Sequence, residues 1–335
     1  MSEKDMSVVG SSERPILELT DAKTYHVARG GSLGRSHGTI KAVDGVTLSV
    51  NPGETLGLVG ESGCGKSTLA RTIVGLDLAH SGSIRFEGRE VVGLKGRKAR
   101  TARRRMQMVF QDPQSSLDGK MRVADIVTEG MTVAGHRSTR AERRDKAEEL
   151  LSLVGLRPDH LGRYPHEMSG GQRQRVGIAR ALAIDPTLVI ADESVSALDM
   201  SVQSQILNLL TDLQAKLGLT YVFIAHNLSV VEYISDRIGV MYLGRIVEMG
   251  PATEVSQDPL MPYTLALNSA IPGGHNQRER IVLRGELPNP LNPPSGCAFR
   301  TRCWRASEIC AQVRPELLEL RPGRFVACHH PLIDN

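Results

Sequence analysis

Hydrophobic residues in this chain occur in two patterns, short continuous runs and helically spaced segments. Continuous apolar runs at 55–60 (TLGLVG), 187–192 (TLVIAD) and 220–225 (TYVFIA) are typical of strands buried on both faces, as in a parallel sheet covered by helices. The segment 142–156 (ERRDKAEELLSLVGL) carries apolar residues at helical intervals. These patterns predict an α/β fold.

Changes in composition divide the chain into three regions. Residues 1–15 are polar and are predicted to be a disordered tail. Residues 16–255 contain the predicted strands, with a more helical part at about 115–185. Residues 256–335 contain segments rich in proline, glycine and asparagine, which are typical of a loop-rich extension.

The overall composition excludes several classes of protein. The content of 40% hydrophobic and 23% charged residues is ordinary for a soluble globular protein. The sequence lacks an apolar run of 18 residues and an apolar N-terminal leader, so we expect a cytosolic chain unless a partner holds it at a membrane. A net charge of +4 is too small to indicate nucleic-acid binding. The basic run at 95–105 is interpreted as a solvated helix face, with binding of an anionic partner as the alternative.

A phosphate-binding motif follows the first buried run. Gly60, Gly65, Lys66 and Ser67 match the pattern G-x-x-x-x-G-K-S. In such a loop, backbone N–H groups surround phosphate oxygens, and the next helix presents its positive end to them. The lysine adds charge at the β and γ phosphates, and the serine can bind magnesium. The other loop positions expected at the nucleotide are Ser62, Gly63, Cys64 and Thr68.

Two further segments narrow the class of nucleotide-binding protein. At 168–172 (MSGGQ), a serine, two glycines and a glutamine open a predicted helix, which makes a second anion site without its own lysine. At 188–193 (LVIADE), an apolar strand ends in Asp192 and Glu193. An acid at the end of a buried strand can hold a magnesium-bound water, and the acid beside it can orient or deprotonate an attacking water. The combination predicts hydrolysis of the nucleotide.

With these motifs in this order over residues 16 to about 255, the chain resembles the ATP-binding subunits of ABC transporters. The resemblance implies an ABC-type phosphate-loop ATPase core with a helical subdomain. It also implies that the segment at 168–172 is the signature motif, with Met168 where the family more often has leucine. The signature of one subunit would face the phosphate loop of another, so a head-to-tail dimer with a sister chain or with itself is implied. The signature residues expected to reach the nucleotide are Ser169, Gly170, Gly171 and Gln172.

The same resemblance implies individual roles in the reaction. Glu193 would be the catalytic carboxylate, His226 the switch histidine near the γ phosphate, and Lys66 a charge that stabilises the transferred phosphoryl group. Asp199 would lie in the loop that joins the two subunits. The magnesium ligands would be Ser67, Gln111 and Asp192.

One aromatic side chain is expected to stack on the adenine. The family usually places such a residue in the first strand, where this chain has Tyr25 and His26 side by side. Either ring could stack, and the sequence leaves both open.

Four cysteines crowd the end of the chain with the spacing C-x5-C-x6-C-x17-C: Cys297, Cys303, Cys310 and Cys328. In a reducing compartment such a cluster indicates metal ligands rather than disulfides. The spacing leaves open a structural zinc, an iron–sulfur cluster and unliganded thiols. Cys64 stands apart in the phosphate loop and is excluded as a metal ligand.

The sequence segments around these cysteines help to choose between zinc, an iron–sulfur cluster and unliganded thiols. PYTLALNSAIP at 262–272 and GELPNPLNPPSGCAFRTRC at 285–303 resemble the C-terminal extension of oligopeptide, dipeptide and nickel import ATPases, in particular the second of their two paired subunits. Met261 stands where that family usually has histidine. The resemblance implies a 4Fe-4S cluster on the four cysteines, with Zn²⁺ as the alternative.

The resemblance as a whole implies an ATPase subunit that powers import of di- or oligopeptides. Its expected partners are a second ATPase subunit, two transmembrane permease subunits and an extracytoplasmic peptide-binding protein, without nucleic acid, at the cytoplasmic face of the membrane. One alternative is a soluble ABC ATPase with an iron–sulfur cluster acting on ribosomes or DNA, although such proteins usually carry two cassettes or long insertions. Another alternative is a regulatory module that binds ATP without hydrolysing it. The presence of Asp192, Glu193 and His226 argues against this alternative.

Overall fold

The structure is a computed structural model that describes most of the chain. The described residues are 14–29, 36–133, 139–196, 198–270, 281–283 and 285–333. Most of the predicted N-terminal tail, 1–13, lies outside them.

The described strands, in chain order, are β1 (Leu17–Arg29), β2 (Ser36–Val50), β3 (Thr55–Val59), β4 (Ser81–Phe86), β5 (Arg89–Glu90), β6 (Met106–Val109), β7 (Leu188–Asp192), β8 (Thr220–Ile224), β9 (Arg237–Tyr242), β10 (Arg245–Pro251), β11 (Leu318–Arg321) and β12 (Arg324–Val326). The described helices are α1 (Lys66–Ile73), α2 (Gly96–Arg105), α3 (Pro113–Ser116), α4 (Val123–Val133), α5 (Arg140–Leu153), α6 (Gly170–Leu182), α7 (Met200–Leu217), α8 (Leu228–Ile234), α9 (Ala252–Gln257), α10 (Pro262–Ser269) and α11 (Glu308–Gln312). Two short 3-10 helices lie at Pro158–Gly162 and Pro165–Glu167.

The larger sheet has eight strands in the order β11-β12-β10-β9-β3-β8-β7-β6. Its middle, from β9 to β6, is parallel. Every residue of β3, β7 and β8 is buried, because helices such as α1 and α8 pack on this sheet. The α/β fold and the doubly buried strands predicted from continuous apolar runs are confirmed.

A second, antiparallel sheet has the order β2-β1-β4-β5. It packs over α1, which contacts both β1 and β2. Apolar side chains from the sheet, including Leu19 and Val46, share a core with Leu69 and Ile73 of α1. The helix that begins at the phosphate loop is therefore held between the two sheets.

Helices α3 to α6 lie in the segment predicted to be more helical, and α4 packs against both α5 and α6. Basic helix α2 buries Ala99 alone among its residues, consistent with a solvated face. Within the described parts of the chain, no helix is both long and apolar enough to cross a membrane.

The C-terminal extension is part of the core sheet. Strand β12 pairs antiparallel with β10 and extends the larger sheet, with β11 beyond it. A buried ion pair supports this junction, since Arg324 donates to Glu248 at 3.0 Å, with their side chains 1% and 0% exposed. Glu248 also accepts the N–H groups of Leu260 and Met261. The sequence pattern had indicated a loop-rich extension and had not predicted these two strands.

Candidate nucleotide-binding site

The phosphate loop connects the end of β3 to the start of α1. Gly65 caps α1 with φ 108°, and a Cβ there would lie 2.0 Å from the Ala42 carbonyl oxygen. Only glycine fits this position without moving the backbone. The buried Lys66 ammonium donates to the carbonyl oxygens of Gly60 at 2.7 Å and Glu61 at 3.0 Å. The loop is thus wrapped around a positive charge, as binding of phosphate requires.

The acid at the end of β7 lies beside this loop. Strands β3, β8 and β7 are neighbours and parallel, so their carboxyl ends meet at one edge of the sheet. Ser67 Oγ donates to Asp192 Oδ1 at 3.0 Å. Burial raises the pKa of Asp192, while the hydrogen bond from Ser67 lowers it. Two of the three predicted magnesium ligands are therefore in contact.

Glu193 has an unusual backbone conformation. Its φ of 43° lies in the left-handed region, which costs free energy for a residue with a side chain. Its carboxylate accepts a hydrogen bond from Gln111 Nε2 at 2.6 Å. Gln111 follows β6, so the packing of β6 beside β7 brings these two predicted site residues together.

A cleft of about 320 Å³ collects most of the predicted residues. Ser62 to Thr68 form one wall, and Gln111, Glu193 and His26 also line the cleft. Sequence reasoning missed Lys41 and Pro290, which line it too. Neither residue belongs to a recognisable sequence motif. Pairing of β1 with β2 brings Lys41 to the cleft, and the fold of the extension brings Pro290 there.

The two candidate adenine-stacking rings have different surroundings in the structure. The Tyr25 ring stacks on His80 with centroids 4.6 Å apart, and its hydroxyl donates to Asp44 at 2.8 Å. His26 is exposed and lines the cleft. Adjacent residues of a strand point to opposite faces. Of the two rings, His26 is therefore the one that lines the cleft.

Other predicted residues lie away from the cleft. Ser169 caps α6, accepts from the Gln172 N–H at 3.3 Å, and is exposed. Gly170 and Gly171 begin the same helix. Asp199 caps α7 by accepting from the Ser201 N–H, among others. The signature is thus presented to the outside of the chain instead of to its own phosphate loop.

His226 lies exposed just after β8 and makes no hydrogen bond to another described residue. It shares a sheet edge with Asp192, since Asp192 pairs with Ile224 of β8. The structure places it near the site without bringing it into the cleft.

Comparisons with known proteins give the family. Residues 43–196 match the family described as ABC transporter, and residues 247–310 match the Oligopeptide/dipeptide transporter, C-terminal region. Over 96% of its length the chain is 51% identical to the oligopeptide transport ATP-binding protein AppF of Bacillus subtilis (strain 168), 99% of which is covered. The chain belongs to the ABC transporter family. This ABC protein is an ATPase.

Two further comparisons agree with this assignment. The ABC ATPase is 49% identical to the oligopeptide transport ATP-binding protein OppF of Salmonella typhimurium (strain LT2), over 93% of this chain and 95% of that protein. It is similar in structure to a dimeric ATP-binding cassette in a post-hydrolysis state bound to ADP and Pi, with TM-score 0.63 and 28% identity. That similarity covers 70% of this chain and 98% of the other.

The four C-terminal thiols of the ABC ATPase lie near one another. The Cys297 N–H donates to the Cys310 carbonyl at 2.8 Å. Burial raises the pKa of Cys328 to about 12, and the charges of the other three thiols raise it as well. Within the described residues, no three His, Cys, Asp or Glu side chains are arranged to hold a metal ion. Cys64 is separate, buried in the phosphate loop with its sulfur 3.7 Å from Lys66 Nζ.

Proposed function

We propose that this ABC ATPase powers the import of di- or oligopeptides across a membrane. The observation that carries the proposal is the near-full-length likeness to oligopeptide transport ATP-binding proteins, which includes the C-terminal extension and not only the cassette. A cassette alone would be compatible with many transported substrates, because ABC proteins share its motifs. The match of the C-terminal extension is what favours peptides as the transported substrate.

The separation of the phosphate loop from the signature motif within one chain indicates which partners the ATPase needs. The phosphate loop and the exposed Ser169 lie on different parts of one chain, so a second ATPase subunit is needed to bring a signature to each loop. That subunit is a sister chain or a second copy. Two transmembrane permease subunits and an extracytoplasmic peptide-binding protein complete the assembly, and the ATPase lies at the cytoplasmic face of the membrane.

The proposed reaction gives each predicted site residue a distinct role. Lys66 stabilises the charge on the β and γ phosphates, and Glu193 accepts a proton from the attacking water. Mg²⁺ neutralises phosphate charge when bound, and Ser67, Gln111 and Asp192 would hold it. The contact between Ser67 and Asp192 suits two oxygen ligands of one hard cation. His26 stacks on the adenine, and His226 contacts the γ phosphate when two subunits close.

Peptide uptake by reconstituted vesicles tests the function. With the permease subunits, the sister ATPase and a peptide-binding protein present, a labelled oligopeptide should accumulate with ATP and not with a non-hydrolysable ATP analogue. Both nucleotides occupy the cleft, so the comparison isolates hydrolysis. Turnover stimulated by ribosomes or DNA, without peptide uptake, would favour the soluble alternative.

We further propose that Cys297, Cys303, Cys310 and Cys328 hold a 4Fe-4S cluster. The Cys297 N–H donates to the Cys310 carbonyl at 2.8 Å, so two of the four cysteines are directly joined through the backbone. The preference for a cluster over Zn²⁺ rests on the likeness of the extension to the C-terminal region of oligopeptide/dipeptide transporters.

Metal analysis of protein purified without oxygen tests this assignment. We expect a brown protein with about four irons per chain. Cys303→Ser should lose most of that iron, whereas Cys64→Ser, which changes a thiol outside the group, should keep it. A colourless, zinc-containing protein would contradict the cluster.

A further inference from the structure

The C-terminal extension is tied to the phosphate loop through one residue of that loop. Arg302 donates from both terminal nitrogens to the Glu61 carboxylate, at 2.6 Å and 2.9 Å. The Arg302 side chain is 6% exposed and that of Glu61 is 28% exposed. A two-bond arginine–carboxylate pair fixes orientation as well as charge. The loop side chain between Gly60 and Ser62 is therefore held by a residue far away in the chain.

The backbone of Glu61 is held as well. Its N–H donates to the hydroxyl of Tyr263 at 2.9 Å, and its carbonyl oxygen accepts from Lys66 at 3.0 Å. Tyr263 belongs to α10, is fully buried, and packs against Tyr242 and Phe299 with ring centroids 4.7 Å and 5.3 Å away. Two of the three groups that hold Glu61 thus come from residues beyond the cassette, and the third is the lysine that serves the phosphates.

The segment that carries Arg302 is itself ordered by local contacts. The Arg302 N–H donates to the Phe299 carbonyl at 3.0 Å, and the Arg300 N–H donates to the Cys297 carbonyl at 3.1 Å. Phe299 is buried against Tyr242 and Tyr263. The guanidinium is consequently presented to Glu61 from a rigid turn rather than from a free loop.

We propose that Arg302 is a positioning residue for nucleotide binding, which fixes and neutralises Glu61 so that the phosphate loop accepts a polyanion. Without Arg302, the loop would carry an uncompensated carboxylate at the residue before Ser62, which lines the cleft, and like charges repel. The loop would also lose the two parallel hydrogen bonds that set the orientation of the Glu61 side chain. The inference rests on the proposed roles of the cleft residues in ATP binding and deepens them, because it makes the extension a determinant of ATP affinity.

Equilibrium binding of Mg-ATP to the purified full-length chain tests the proposal. Arg302→Ala should raise the Kd for Mg-ATP by about tenfold, as expected for loss of a charged hydrogen-bonded pair. Arg302→Lys should recover part of the affinity, because it restores the charge without the two parallel hydrogen bonds. The matched control is Arg321→Ala, which removes an exposed ion pair with Asp258 in the same extension and should leave the Kd unchanged.

A double variant separates electrostatic positioning from simple packing. Glu61→Gln removes the charge that Arg302 neutralises, so Glu61→Gln/Arg302→Ala should recover most of the Mg-ATP affinity that Arg302→Ala alone loses. A double variant as weak as Arg302→Ala would overturn the proposal, because the arginine would then act without Glu61.

Arg302→Gln provides a second route if Arg302→Ala does not fold, since it keeps much of the side-chain volume and removes the charge. Wild-type affinity in a folded Arg302→Ala or Arg302→Gln would also overturn the proposal. Failure of the wild-type chain to bind Mg-ATP would instead count against the proposed ATP site itself. The two failures are therefore distinguishable, and neither depends on which solute is transported.

Discussion

Glu193→Gln is expected to lower ATP turnover by about 10²- to 10⁴-fold, the range for loss of a general base. Glutamine has the same shape as glutamate but cannot accept the proton of the attacking water. It can still hydrogen-bond Gln111, whose amide lies 2.6 Å from the Glu193 carboxylate. ATP binding should therefore persist, and ATP should accumulate in a closed dimer. Phosphate release and ATP-dependent dimer formation in sedimentation measure the two effects.

The control for this variant is Glu149→Gln, which changes an exposed glutamate paired with Lys146 on α5, away from the cleft. It should leave both turnover and dimer formation at the wild-type level. Unchanged turnover in Glu193→Gln would remove Glu193 from the catalytic role. Loss of ATP binding together with turnover would point to a disturbed loop instead, because Glu193 occupies a strained backbone position.

Arg324→Met is expected to lower the free energy of unfolding by about 3–5 kcal/mol, the range for breaking a buried ion pair from one side. The Glu248 carboxylate, 0% exposed, would lose its charged partner. The Asp258 carbonyl would lose a hydrogen bond of 2.7 Å as well. Replacing both charges, as in Arg324→Met/Glu248→Gln, should recover part of the loss, because no uncompensated ion then remains buried.

Denaturant unfolding measures this loss with two signals. Trp304 is the only tryptophan in the sequence and lies in the extension, 48% exposed, so its fluorescence reports that region. Circular dichroism reports the helices of the whole chain. The control Arg321→Met removes an exposed pair with Asp258 and should cost less than about 1 kcal/mol. A wild-type midpoint for Arg324→Met would show that the buried pair contributes little.

The nucleotide loop illustrates what could be predicted locally. Gly65 needs a left-handed backbone and no side chain, Lys66 follows it at the start of a helix, and an apolar strand precedes the loop. Each of these requirements involves residues that are adjacent in the chain, so each can be predicted from the local sequence. The same holds for β7, where the apolar run ends directly in Asp192 and Glu193.

Which of the two candidate rings lines the cleft could not be predicted without the fold. Tyr25 and His26 are adjacent, and the composition of the strand does not say which of them faces the cleft. Pairing of β1 with β2 and β4 sets that direction, and a shift of one residue would exchange the two rings. The stacking of Tyr25 on His80 and its hydrogen bond to Asp44 then occupy one ring and leave the other exposed.

By itself, the sequence determined the α/β class, the phosphate loop, the paired acids and the likeness to ABC ATPases, because these depend on short segments whose backbone and side chains act together. Only the tertiary structure decided that β12 completes the core sheet and that Arg302 reaches Glu61 across 241 positions of chain. Contacts between distant residues depend on strand register and on the packing of whole elements, which no local pattern of residue types specifies.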